Sequence, residues 1–128
     1  MVVLLDTHYL IWALDGDARL NTNALAIVRD PMIPVRVSIV SYWEIAIKLS
    51  VGKLKIRSGF EALVSRTREL GIELLPLTTD HVALVKDLPL HHRDPFDRMI
   101  ISQAKHEGLR LLTADPVFKL YDVQLIDL

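Results

Sequence analysis

The chain opens with four apolar residues in succession, Val2-Val3-Leu4-Leu5, before its first charge at Asp6. An unbroken, partly β-branched run of this kind predicts a strand buried on both faces, and therefore a parallel sheet. A helix capped by Thr7 follows to about Leu14, and a second, capped by Asn21 or Asn23, reaches about Asp30, where Pro31 and Pro34 stop it. Positions 35–40 read as another strand. Ser41-Tyr42-Trp43-Glu44 then has the spacing of a capping box opening a helix that ends at Gly52. The alternation continues with a helix over 59–70, a strand over 72–77 and a short helix capped by Asp80 that ends near Leu88-Pro89. Asp94-Pro95 starts a helix to about Glu107 with Gly108 just past its end, 109–113 is a strand, Asp115-Pro116 opens a half-turn, and 123–126 forms a short last strand. No repeat, low-complexity tract or linker interrupts the series. The expected fold class is α/β, a central parallel sheet of four to five strands with helices on both faces, in one domain over residues 1–128.

Composition narrows the picture. The 128 residues are 51% hydrophobic and 24% charged, which excludes a disordered tail, a coiled coil and a collagen-like chain. Cysteine is absent, so neither a disulfide framework nor a thiolate metal site is available, and a cytoplasmic location is the expectation. The apolar start reaches Asp6 too soon for a signal peptide, and no apolar run approaches the roughly 20 residues of a membrane span. Fifteen Lys+Arg against sixteen Asp+Glu leave a formal charge of −1, so any polyanion must be held locally. One basic stretch stands out: Lys48, Lys53, Lys55, Arg57, Arg66 and Arg68 against the single acid Glu61, a pattern that a solvated helical surface also satisfies.

Candidate chemistry sits where ligands gather in an open α/β sheet, outside the carboxyl ends of the strands. Asp6 follows the first strand, Glu44 opens the helix after the second, Asp97 lies in the first turn of a later helix, and Asp115 follows the fourth strand. Singly, Glu44, Asp97 and Asp115 also suit helix caps. Asp6 does not dissolve so easily, because an acid directly after four buried residues is nearly desolvated and needs a partner. If the strands are parallel and adjacent, the four carboxylates converge and repel unless a cation neutralises them. Oxygen ligands without cysteine favour Mg²⁺ or Mn²⁺ over zinc, and such ions serve phosphodiester hydrolysis.

Four segments carry a family resemblance: Leu4-Leu5-Asp6-Thr7-His8, Ser41-Tyr42-Trp43-Glu44-Ile45-Ala46-Ile47-Lys48, His92-Arg93-Asp94-Pro95-Phe96-Asp97-Arg98-Met99-Ile100, and Leu112-Thr113-Ala114-Asp115. In this order they resemble the type II toxin ribonucleases of the VapC group, built on the PIN domain. The resemblance implies a Rossmann-like sheet, a Mg²⁺- or Mn²⁺-dependent endoribonuclease acting on RNA to leave 5′-phosphate and 3′-hydroxyl ends, a cognate antitoxin and a homodimer. It places the family's acids on Asp6, Glu44, Asp97 and Asp115 as catalytic and metal-holding groups. Asp97 rather than Asp94 is chosen as the third, because the family's acid directly precedes the apolar helix face of Met99, Ile100, Ile101 and Ala104; Asp94 is then a cap and a candidate supporting group beside the ligands.

Around these acids, Thr7 and Thr113 are candidates to fix carboxylate rotamers, an ordinary cap or strand-end role being the alternative for each. His92, Arg93 and Arg98 are candidates for RNA phosphate contact, Arg98 also for pairing with a site acid. Lys48, four residues after Glu44, is placed for an ion pair as well as a phosphate. Tyr9, Trp12, Tyr42 and Trp43, near the starts of two helices, are candidate antitoxin anchors or core residues. Asp6-Thr7-His8 has the D-x-H spacing of metallophosphoesterases but lacks their later motifs. A receiver domain would need an acidic pair after the first strand and a late Lys, neither of which is in place. A catalytically inactive PIN-like module that binds RNA or protein is the alternative to a nuclease.

Overall fold

The computed structural model describes residues 1–16 and 18–128. Strand β1 (Val3–Leu5) leads into helix α1 (Thr7–Asp15), followed by α2 (Thr22–Arg29), β2 (Val35–Ser38), α3 (Ile39–Ser50) and α4 (Phe60–Glu69). Next come β3 (Glu73–Leu75), α5 (Thr79–Val85), α6 (Pro95–Glu107), β4 (Arg110–Leu112) and a 3-10 turn over Pro116–Leu120. The four strands lie in the order β3-β2-β1-β4, every neighbouring pair parallel.

The helices cover both faces because β1 alternates its contacts. Val3 and Leu5 join a core with Leu10 and Leu14 of α1, Ala24 and Val28 of α2 and Leu63 of α4. Leu4 points the other way, into a core with Ile100, Ile101 and Ala104 of α6 and with Phe118. A strand buried on both sides has no solvated face, which is why its sequence is continuously apolar.

Several expected boundaries are corrected. Thr7 does not cap α1; Asp6 does, its Oδ1 accepting the Tyr9 N–H at 2.8 Å. The expected Ser41–Glu44 capping box is absent, because Ser38 ends β2 and starts α3 at once by accepting the Val40 N–H at 3.0 Å. The helix thereby begins three residues earlier, and Ser41 and Glu44 fall inside it, both buried. A capping box occurs instead at α5, where Thr78 rather than Asp80 is the cap and the His81 side chain is its reciprocal arm. Asn21, not Asn23, caps α2. The expected last strand reduces to one parallel bridge between Leu125 and Leu111 beside β4. Gly108 adopts φ +68°, the left-handed turn that closes α6 and sends the chain into β4.

Polar bonds from α6 tie that helix to the sheet. Ser38 donates its hydroxyl to Gln103 Oε1 at 2.5 Å, joining the end of β2 to α6, and the Gln103 amide donates to the Pro76 carbonyl at 3.4 Å. Gln103→Leu leaves the fully buried Ser38 hydroxyl without its acceptor, so unfolding free energy should drop by about 2 kcal/mol. That is a fall in thermal midpoint of roughly 6–10 °C, measurable by calorimetry; a midpoint within about one degree of wild type would contradict it.

Candidate metal centre

The register of the sheet builds the site. Leu5 of β1 pairs with Leu112 of β4, so the next residues, Asp6 and Thr113, emerge side by side at the carboxyl ends of the strands. Thr113 donates its hydroxyl to Asp6 Oδ2 at 2.6 Å, while Asp6 Oδ1 holds the Tyr9 N–H. From the other neighbouring strand, the immediate start of α3 puts Glu44 in the second turn of that helix. Its Oε2 receives the Lys48 ammonium at 2.6 Å.

The loop before α6 supplies the third and fourth elements. Asp94 caps α6, its Oδ1 accepting the N–H groups of Phe96 at 2.8 Å and Asp97 at 3.3 Å, and Asp97 sits on the first turn. His92 Nε2 lies 3.0 Å from Asp97 Oδ2 and 3.0 Å from Asp115 Oδ2. One donor atom from each of His92, Asp97 and Asp115 falls within 4.8 Å of the others, a cluster able to coordinate a divalent cation. Asp115 also caps the 3-10 turn by accepting the Val117 N–H at 3.0 Å.

Asp6, Glu44 and Asp97 are 3%, 1% and 8% exposed. Burial pushes the Asp97 carboxyl up to about 7, the negative charges of Asp94 and Glu44 adding to it and His92 opposing. Asp6 is raised by burial too, against the stabilising bonds from Thr113 and the Tyr9 N–H, with Asp115 contributing repulsion. Asp97 thus feels Glu44 and Asp6, and Asp6 feels Asp115: the four acids share one electrostatic neighbourhood. Lys48 is drawn into the same field, held charged chiefly by its bond to Glu44 and further by Asp94 and Asp97. Glu44 Oε1 is buried with no hydrogen-bond partner among the described residues. An unpaired carboxylate oxygen, beside acids held above their ordinary range, is a donor set that suits a hard divalent cation.

Other expected site residues are placed differently. Thr7 fixes no carboxylate: its hydroxyl donates to Ser41 Oγ at 2.9 Å, pinning α1 to α3. Arg98 pairs with no site acid. Its guanidinium turns away to the carbonyls of Val85 (3.2 Å), Leu88 (3.4 Å) and Pro89 (2.9 Å) and to Tyr121 Oη (3.3 Å), closing the loop between α5 and α6. Arg93 is exposed on that loop. Tyr9 and Tyr42 are buried in the core cluster of α1 and α3, which removes them as surface anchors. Trp12 is half-buried against Tyr9, with Arg19 over its ring, and Trp43 is 59% exposed, edge-on to Phe96 at 5.1 Å. The place of His92 between two acids was missed from sequence. The available signal was its position two residues before a helix cap, from which its ring reaches back to the Asp94 N–H at 3.1 Å.

The model of the PIN domain matches residues 3–124. The chain belongs to the PIN-domain family. Comparison with curated proteins gives no match. Among solved structures, this chain is similar to a chain of VapBC2 from Rickettsia felis bound to a DNA fragment from their promoter, at 17% identity and a TM-score of 0.76, over 100% of this chain and 99% of that one. It is similar to FitAcB from Neisseria gonorrhoeae at 22% identity and 0.66, over 98% and 96%. VapBC-1 from nontypeable Haemophilus influenzae gives 19% and 0.63, over 99% and 98%. At these identities the likeness is one of fold.

The raised Asp97 carboxyl sets a pH dependence. With its folded pKa at about 7 and an ordinary value of 3.8, the metal-free native state takes up a proton that the unfolded chain releases, so this group's contribution falls as pH rises between those values and is flat above. Asp97→Asn removes the ionisation. In the absence of divalent cations the variant should match wild type near pH 4 and gain several degrees in thermal midpoint by pH 8. A variant less stable than wild type at pH 8 would reverse the assignment of strain to this carboxylate.

Proposed function

We propose that this PIN domain is a divalent-metal-dependent endoribonuclease, the toxin component of a toxin-antitoxin pair, hydrolysing RNA phosphodiester bonds. The observation that carries the reading is the burial of Asp6, Glu44 and Asp97 together with Asp115 in one field, with Glu44 Oε1 unpaired and Asp97 at about 7. Four acids in one helix-strand crevice are costly to a chain with no use for them, since structural carboxylates are ordinarily paired or exposed. In this reading residues 1–128 form one PIN domain, and Asp6, Glu44, Asp97 and Asp115 hold Mg²⁺ or Mn²⁺. The cation, when bound, neutralises charge on the phosphate and lowers the pKa of an attacking water.

The chain's own groups prepare that chemistry. Thr113 and the Tyr9 N–H lock both oxygens of Asp6, so its carboxylate meets a cation without losing rotamer freedom at that moment. Lys48 occupies Glu44 Oε2 and leaves Oε1 as the available donor. Asp97 retains a proton near neutral pH and releases it when positive charge arrives, which makes affinity for the ion rise with pH through that range. The part-exposed Lys48, bonded to Glu44, and Arg93, exposed on the loop before α6, are the candidate cations for an RNA phosphate. Arg98, bound to backbone carbonyls, is not one of them.

The antitoxin partner is supported by the likeness to chains found in VapBC and FitAB complexes, whose names join two components. Trp43, 59% exposed, and the part-exposed edge of Trp12 are the candidate aromatic contacts for such a partner. A homodimer and a cytoplasmic location complete the proposal. Among the described residues no helix is long and apolar enough to cross a membrane.

Pure wild-type protein with Mn²⁺ should cut single-stranded RNA, and Asp6→Asn or Glu44→Gln should lower the rate by roughly 100-fold or more. In parallel, Mn²⁺ at about 100 times its dissociation constant should stabilise the wild type by about 2.7 kcal/mol in thermal denaturation and both variants by less. Cleavage that survives Asp6→Asn or a chelator would refute the mechanism.

A further inference from the structure

His92 is held on several sides. Its backbone N–H donates to Tyr121 Oη at 2.7 Å, its ring lies edge-on to Phe118 with centroids 5.8 Å apart, and its Nδ1 accepts the Asp94 backbone N–H at 3.1 Å. A ring nitrogen that accepts a hydrogen bond from a peptide N–H has its lone pair committed there and bears no proton. The ring's proton is therefore on Nε2. That atom faces Asp97 Oδ2 and Asp115 Oδ2, each 3.0 Å away. Once Asp97 is ionised, a bare lone pair there would be repelled by two carboxylate oxygens, whereas an N–H is attracted to both.

We infer that His92 is a positioning residue that gathers Asp97 and Asp115 by donating Nε2–H to both, and that it is not itself a ligand of the cation. The inference rests on the metal-dependent reading above. Ligation through Nε2 requires its proton to leave, and the other nitrogen cannot take it up while the Asp94 N–H occupies that lone pair. Freeing Nδ1 means breaking the turn that caps α6, the turn that also sets the position of Asp97. The arrangement is self-consistent in one state only. Asp94 and His92 orient; the four carboxylates of Asp6, Glu44, Asp97 and Asp115 ligate. The resulting all-oxygen set discriminates against zinc and other imidazole-seeking ions, although a histidine stands at the centre of the cluster.

The test is long-range ¹H–¹⁵N NMR of the full chain labelled at histidine, with His92 assigned through the signal lost in His92→Gln. Without metal, His92 should show a protonated Nε2 and a bare Nδ1, and Mg²⁺ should shift the Nε2 resonance without removing its proton. A protonated Nδ1 in the free protein, or loss of the Nε2 proton on adding Mg²⁺, would overturn the inference. If Mg²⁺ perturbs no resonance anywhere, the proposed function fails instead, and the metal-free spectrum still decides whether His92 donates to the two acids. Calorimetry gives a second readout. His92→Ala should weaken Mn²⁺ and Zn²⁺ binding by a similar factor, about 10–100-fold, with partial recovery in His92→Gln, whose amide can still donate. A Zn²⁺ loss far exceeding the Mn²⁺ loss would make His92 a ligand.

Discussion

Concentrated negative charge in a desolvated crevice is the constraint around which this molecule is arranged. Carboxylates prefer water, and burying three of them with a fourth beside them opposes folding unless donors or positive charge compensate. The surrounding chain supplies much of that compensation. Thr113 and a helix N-terminal N–H serve Asp6, Lys48 serves Glu44, and His92 spans Asp97 and Asp115. What is left over is informative: one partnerless oxygen on Glu44, and a carboxyl at Asp97 raised to about 7. A fold that satisfies most of a cluster and leaves this remainder is poised to accept a cation.

Parallel strand pairing makes the cluster geometrically cheap. With β1 between β2 and β4, the carboxyl ends of all three strands finish at one edge, so Asp6 and Thr113 enter the crevice one residue beyond β1 and β4, and Glu44 enters it from the second turn of α3. The helices that follow start without a connecting loop on α1 and α3, because Asp6 and Ser38 act as caps in place. Asp6 is therefore both a helix cap, through Oδ1, and a member of the acid cluster, with Oδ2 held by Thr113. Asp94 and Asp115 share that economy: each caps a helical segment and lies in the field of the site. Structural and chemical readings of these acids, which compete when each is considered alone, describe the same atoms.

The same principle explains which side chains do not take part. Arg98 follows a site acid in sequence, yet successive residues on a helix are separated by about 100° around its axis, so its guanidinium reaches the α5–α6 loop on another side. Tyr9 and Tyr42 sit on helices that flank the crevice but on their inward faces, where the ring area they bury supports the core. Trp43, one residue on from Tyr42, emerges into solvent for the same reason.

The run Val2 to Leu5, the Asp94-Pro95 start and the Gly108 stop are local signals, and for that reason strand order along the chain, helix placement and the four acids were legible before any coordinates. Chain-local chemistry determines such features: a continuously apolar strand needs two covered faces, and a proline or a left-handed glycine acts on its own turn. Tertiary structure alone decided where β2 ends, since Ser38 caps α3 while also reaching Gln103 on α6, and it alone showed Thr7 spent on Ser41 and His92 held between two carboxylates. Those outcomes depend on which distant partner wins a hydrogen-bonding group. No period or spacing in the sequence encodes that competition, because it is settled by distances that exist only once the sheet has assembled.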